Sequence, residues 1–245
     1  MYLVLDLGNT NQKAGVFDNG NLTYLSVHER ISAVTIRELF DQFPRLEAGI
    51  VSSVVDFQQH HKNMLNERLR MFIELTSHTP VPLKNHYRTP ARLGKDRLAS
   101  AVAGAILFNG IPTLVINAGT CITYDLVNEK SEYLGGAISP GLNMKLQALN
   151  TFTSKLPLVE LEEHESVIGN STRGSILSGV VEGTLSEIKG MINRYRKIYP
   201  NLQVILSGGD AAFLEKQLKI RIFAFPNIVM VGLFHILEHN LKNAR

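Results

Sequence analysis

One motif occurs twice in this chain, and that repetition limits the fold more than any other feature of the sequence. Leu3-Val4-Leu5-Asp6-x-Gly8 aligns by position with Leu114-Val115-Ile116-Asn117-x-Gly119. Each copy runs a short apolar stretch into a glycine turn that carries a threonine, then a second strand, a polar turn and a third strand. A continuous apolar run without polar alternation suits a strand covered on both faces, so each copy opens on a buried strand. A duplicated strand-turn-strand unit predicts an α/β protein of two related halves, 1–111 and 112–245, with a polar hairpin from each facing the other across a cleft.

The intervening segments fill in the halves. Strands are expected at 2–6, 12–18, 22–28, 48–55 and 72–76, with helices at 35–43 and 56–72; Thr35 and Glu38 have capping-box spacing. A loop with three prolines, 78–94, leads into a small-residue helix at 96–108. The second half adds a helix opening within 139–150, a long helix over 171–199, a strand over 203–214 and a final strand-helix pair.

Composition narrows the partners. A hydrophobic content of 44% is ample for a packed core. The formal charge is only +3 and the basic residues are scattered; the one compact cluster, 194–197, reads as a solvated helix face, so nucleic acid is not an expected partner. The single cysteine, Cys121, excludes an intramolecular disulfide and suits a reducing cytoplasm. No apolar run reaches the roughly 18 residues of a membrane span, and Asp6 interrupts the only apolar start, so neither a membrane partner nor a signal peptide is expected. His60-His61 and the string His235 to His239 read as surface histidines.

The glycine turns carry the chemistry. Asp6 with "GNTN" is either a simple hairpin with a self-capping acid or a phosphate and metal site, and spacing alone leaves both open. Neither a P-loop nor a G-x-G-x-x-G follows a strand, so any nucleotide site is of another kind. In "LGKDRLAS", Asp96 is either a helix N-terminal acid paired with Arg97 or a general base beside an arginine that holds an anion. "INAGTCITYD", "GGAISPGL" and "LSGGDA" add further glycine turns that allow close approach of backbone to phosphate. Four such turns at strand ends, in two similar halves, exceed what hairpin geometry requires.

Taken in order, "DLGNT", "Y..P..LGKDR" at 87–97, "NAGTCITYD", "GGAISPGL" and "IGNSTRGSILSG" resemble the type III pantothenate kinases, members of the acetate and sugar kinase, Hsp70 and actin superfamily. The resemblance implies two duplicated ribonuclease-H-like domains around a nucleotide cleft, and phosphorylation of pantothenate by ATP at the start of coenzyme A biosynthesis. It implies ATP phosphates held by Asp6, Leu7, Gly8, Asn9, Thr10, Asn11, Gln12, Lys13 and Thr120, with Asp6 near magnesium. It implies pantothenate bound by Tyr87, Gly94, Lys95, Asp96, Arg97 and Thr172, with Asp96 as proton acceptor and Arg97 a candidate for transition-state charge. A homodimer is implied as well, with the long helix as candidate interface. Asn117 departs from the family, which usually has an aspartate there that binds potassium or ammonium. A neutral amide lacks that charge, so the monovalent-cation site is expected to be weak or absent, with Asp125 left as a second acid in the cleft. Two other readings share the scaffold: a transcription-accessory protein with overlapping motifs, and a kinase of another small hydroxylated substrate. The retained Asp6, Asp96, Arg97 and Thr120 favour the enzyme, and Tyr87 to Arg97 favours pantothenate.

Overall fold

The computed structural model describes residues 1–163 and 166–244. Its first sheet contains β1 (Tyr2–Leu7), β2 (Gln12–Asp18), β3 (Asn21–His28), β4 (Ala48–Ser53) and β5 (Met71–Glu74), in the order β3-β2-β1-β4-β5. The β1-β2 and β2-β3 pairs are antiparallel; β1-β4 and β4-β5 are parallel. The second sheet contains β6 (Lys84–Asn85), β7 (Thr113–Ala118), β8 (Cys121–Val127), β9 (Glu132–Pro140), β10 (Gln203–Ser207) and β11 (Phe223–Ala224). In its order β11-β10-β7-β8-β9-β6, with β7-β8 and β8-β9 antiparallel and β7-β10 and β10-β11 parallel, five strands repeat the first sheet and β6 is an added edge strand. The duplication is thus one of topology, and the two ribonuclease-H-like halves expected from the sequence are present. β1 and β7 are central in their sheets, which is why Leu3 to Leu5 and Leu114 to Ile116 are apolar without alternation and fully buried.

The helices are α1 (Ala33–Gln42), α2 (Gln59–Arg68), α3 (Lys95–Leu107), α4 (Leu142–Thr151), α5 (Thr172–Ile198), α6 (Ala211–Leu218) and α7 (Ile228–Asn243). α3 and α7 lie between the sheets, where Val4 and Phe17 of the first sheet, Val115 and Ile205 of the second, and Ala99, Val102, Phe234 and Leu237 share one core. Phe17 stacks on Phe234 with centroids 4.4 Å apart, so the last helix is fastened to the first sheet. In the other direction β6, from before residue 112, joins the second sheet beside β9. These crossings tie the halves through side-chain packing as well as through the chain.

Three local expectations are corrected. The cap of α1 is Ser32, whose hydroxyl accepts from Thr35 N; Thr35 is the third helical residue, and Glu38 lies within the helix. α2 ends at Arg68, and Met71 and Phe72 belong to β5. The segment 203–214 is strand only to Ser207, because Gly208 adopts φ +99°, turns the chain, and Asp210 then starts α6.

Candidate active site

Asp6 stands near the end of β1, paired across the hairpin with Lys13 of β2 and laterally with Ser52 of β4. A carboxylate here is costly, and its pKa shows it: burial first, then the charge of Asp96, push Asp6 up to about 6, against the pull of Lys13. Asp6 and Asp96, from the first hairpin and from the first turn of α3, therefore share one electrostatic site. The two glycine turns meet there too, since Thr10 Oγ1 lies 3.4 Å from Thr120 Oγ1. The polar hairpins of the two halves do face each other.

The second hairpin is shaped by the other glycine turns. A Cβ at Gly141 would fall on the carbonyl oxygen of Gly119, and one at Gly208 on that of Ala118. Gly141 N donates to Thr120 O at 3.0 Å and Asp210 N to Ala118 O at 3.1 Å. The "SPGL" and "SGGDA" passages thus converge on the backbone of "NAGT", a packing that only residues without a side chain permit. Burial raises the pKa of Asp210, at the start of α6.

Of the residues proposed around ATP, Asn9, Thr10, Asn11 and Thr120 are exposed, and Gly8 and Lys13 partly so. Leu7 is core, so only its backbone can face a ligand. Gln12 is buried, its Oε1 accepting from Ile31 N at 2.6 Å, which makes it a brace between β2 and the start of α1. Lys13 Nζ donates to Asn227 Oδ1 at 3.2 Å; Asn227, with φ +60°, caps α7. Sequence reasoning missed Asn227, although an asparagine after proline and before an apolar helix is a signal for such a position.

Of the residues expected around pantothenate, Gly94 caps α3, and Lys95, Asp96 and Arg97 form its first turn. A carboxylate is favoured there by the helix dipole. The space a Cβ would take at Gly94 is filled by Asp96 Oδ1, 2.6 Å from it. The backbone of Tyr87 is held by a turn in which its N donates to Asn85 Oδ1 at 2.9 Å, and it lines a cavity of about 370 Å³ with His86, Arg88, Thr89 and Leu134. Arg97 departs from the expected free cation: its guanidinium is buried against Asp125, which is itself fully buried beneath the cleft instead of lining it. Burial works against the Arg97 charge, yet the charge and hydrogen bond of Asp125 hold its pKa above the ordinary value. Thr172 is the first residue of α5, exposed, and hydrogen-bonds to none of the other proposed residues among those described. Asn117, half-buried on β7, sits between Thr123 of β8 and Ser207 of β10.

A larger recess, about 510 Å³, opens beside Pro112, Arg196, Gln203 and Arg221, at the end where β7 and β10 begin. Ligands of open α/β sheets gather at the opposite, carboxyl ends of the strands, where Asp6 and Asn117 stand, so the chemistry is assigned to that end. The surface histidines have local partners, His235 with Glu238 and His239 with Asn243.

The family model for type III pantothenate kinases matches residues 2–194. The chain is 42% identical over 241 residues to the type III pantothenate kinase of Christiangramia forsetii, covering 98% of this chain and 99% of that one. It is 39% identical over 245 residues to that of Flavobacterium johnsoniae, covering 99% and 100%. Its fold is similar to that of a conserved protein of the Baf transcriptional-activator family from Campylobacter jejuni, with TM-score 0.59 at 21% identity over 98% of this chain and 99% of that one. At that identity the likeness speaks for the fold alone.

Proposed function

Because the chain belongs to the type III pantothenate kinase family, we propose that it transfers the γ-phosphoryl group of ATP to the primary hydroxyl of pantothenate, the first step of coenzyme A biosynthesis. The observation that carries the site assignment is the meeting of the two glycine hairpins, Thr10 Oγ1 lying 3.4 Å from Thr120 Oγ1, beside an Asp6 that burial and the charge of Asp96 raise to about 6. Two carboxylates that repel across a cleft suit a site completed by a cation and the phosphates it accompanies.

Asp6, Thr10 and Thr120 offer hard oxygen donors, and among the described residues no group of three His, Cys, Asp or Glu side chains could hold a metal unaided. That set fits magnesium, which keeps several waters and takes other ligands from substrate phosphates. Asp6 would hold it, and bound there it would neutralise charge on the β- and γ-phosphates. Lys13, steadied by Asn227, and the backbone N–H groups of the turn at Gly8 to Asn11 and of Thr120 bind phosphate oxygens, the Gly119 N–H being already given to Cys121 O at 3.0 Å. Asp96 orients the acceptor hydroxyl and takes its proton onto a carboxylate oxygen late in the transfer, because a carboxylate is a weak base for an alcohol. Tyr87, Gly94, Lys95 and Thr172 surround the acceptor, and Arg97, its guanidinium turned inward to Asp125, adds its backbone in the first turn of α3. Excluding water from the γ-phosphate leaves positioning as the main source of rate.

The division into 1–111 and 112–245 follows sheet membership, with β6 and α7 as the crossing elements. A homodimer through α5 is supported by Gly179, Gly183 and Gly190, which lie along one side of the helix with open space where a Cβ would stand. Asn117 supports a kinase with little dependence on potassium or ammonium. A cytoplasmic setting agrees with a metabolic kinase, and no described helix is long and apolar enough to cross a membrane.

The test is ADP release with ATP, magnesium and pantothenate, beside Asp96→Asn. Pantothenate-dependent turnover, reduced at least about a hundredfold in the variant, is the expected result, that being the usual range for a lost acid-base group. Near-normal turnover in Asp96→Asn removes Asp96 from its role, and no turnover in the unaltered protein removes pantothenate.

A further inference from the structure

Asp125 lies in the middle of β8 with no exposed surface, so it touches no substrate. Its Oδ1 accepts from Arg97 Nε at 2.9 Å and from the Tyr133 hydroxyl at 2.7 Å, and Arg97 Nη2 is 2.8 Å from the same oxygen. The guanidinium also lies over an aromatic ring: Arg97 Cζ is 5.7 Å from the Tyr87 centroid. Tyr87 in turn stacks with Tyr133, centroids 6.1 Å apart and planes 26° apart. The four side chains close a bracket, Asp125 to Arg97 to Tyr87 to Tyr133 and back to Asp125. It joins β8, α3, the segment after β6, and β9.

Two corners of that bracket bear on the acceptor. Arg97 is the residue next to Asp96 in the first turn of α3, and Tyr87 walls the cavity beside it. A helix start capped only by glycine, with no side-chain hydrogen bond at the cap, has little local restraint. The restraint comes from Arg97, drawn inward onto Asp125.

We propose that Asp125 is a positioning residue for the phosphoryl acceptor, acting through Arg97 and Tyr133 to set the first turn of α3, and with it Asp96, against the Tyr87 wall. The inference rests on the kinase reading above. Its hydrogen bonding is asymmetric in a way that fits this role: Oδ1 takes both the Arg97 and the Tyr133 donor, while Oδ2 is buried with no hydrogen bond of good geometry, so the carboxylate is oriented toward the bracket at the expense of its own solvation.

The experiment compares steady-state kinetics of the unaltered enzyme, Asp125→Asn and Tyr133→Phe, varying ATP and pantothenate separately, with the Arg97 Nε–H resonance recorded for each. Tyr133→Phe is the decisive variant, because it removes one donor to Asp125 and keeps the ring in the core. Its KM for pantothenate should rise about threefold to tenfold while KM for ATP stays within about twofold. In Asp125→Asn kcat should also fall, since misplacing a reacting group by about an ångström can cost about a hundredfold. A merely structural role lowers the active fraction and leaves both KM values alone. Unchanged KM for pantothenate in Tyr133→Phe, or equal rises for both substrates, overturns the proposal. If the unaltered protein shows no pantothenate-dependent turnover, the kinase reading fails by itself. The Arg97 resonance then decides: a shift in Tyr133→Phe supports the bracket, and an unmoved resonance overturns it.

Discussion

Removing the charge of Asp6 should make the protein more stable and the enzyme inactive. The Asp6 carboxyl is raised from 3.8 to about 6 by burial, by the charge of Asp96, and against Lys13. The folded state therefore binds a proton that the unfolded state has released throughout that interval. Below about pH 3.8 both states are protonated and the residue contributes nothing; as pH rises toward 6 stability falls; above about 6 the full penalty is present. A shift of that size corresponds to a ceiling of about 3 kcal/mol at 1.36 kcal/mol per unit, and relaxation of a partly exposed side chain brings the expected figure to about 1–3 kcal/mol. Asp6→Asn replaces the carboxylate with a neutral side chain of the same shape. Near pH 8 it should raise the melting temperature by roughly 2–10 °C for a chain of this size, and near pH 4 the two proteins should melt together. The assay is thermal unfolding of both proteins from pH 4 to pH 8, with pantothenate-dependent ADP release measured in parallel. Taking the difference between the proteins cancels the other titrating groups. Equal melting temperatures at pH 8, or a gap independent of pH, would refute the claim that Asp6 is held in a destabilising environment. Gain of stability with loss of turnover is the pattern of a site arranged for a ligand.

Other substitutions probe the turns. Gly94→Ala places a methyl group where Asp96 Oδ1 now lies; because only the end of a side chain must yield, the melting temperature should change by less than about 2 °C while kcat drops at least about tenfold. Gly208→Ala meets both a positive φ and the carbonyl oxygen of Ala118, so denaturant unfolding should show a loss of at least about 2 kcal/mol. Turnover of the unaltered enzyme should differ less than about twofold between potassium and choline salts, whereas Asn117→Asp should gain a potassium dependence of at least about fivefold by restoring a charged oxygen ligand; a strong potassium requirement with Asn117 in place would show that the amide suffices.

The buried central strands and the tight glycine turns were legible in the residues. Apolar runs such as Leu3 to Leu5 and Leu114 to Ile116 report burial on two faces, and the glycine turns report where a side chain cannot be accommodated. Both are local properties, so the duplicated strands and the long helix could be placed within a few residues. Local signals erred where two were compatible with one segment. Ser32 and Thr35 both suit a cap, and burial of the apolar positions in 203–214 fits a strand followed by a helix as well as it fits one strand.

What tertiary structure alone decided is the partner of each polar group. The sequence shows Arg97 beside Asp96 and suggests a cation for an anionic ligand; the fold turns Arg97 inward to Asp125, twenty-eight residues on. It shows Gln12 in a polar turn; the fold closes its carbonyl on Ile31 N. It shows four glycine turns; only the packed chain brings two of them onto the backbone of a third, at Ala118 to Thr120. The physical reason is common to all. Periodicity and turn chemistry record how much of a residue is buried and which backbone angles it must adopt, and they act over a few residues. An ion pair or a close backbone contact depends on which distant strand or helix arrives at that place, and its energy exists only after the sheets and helices have packed.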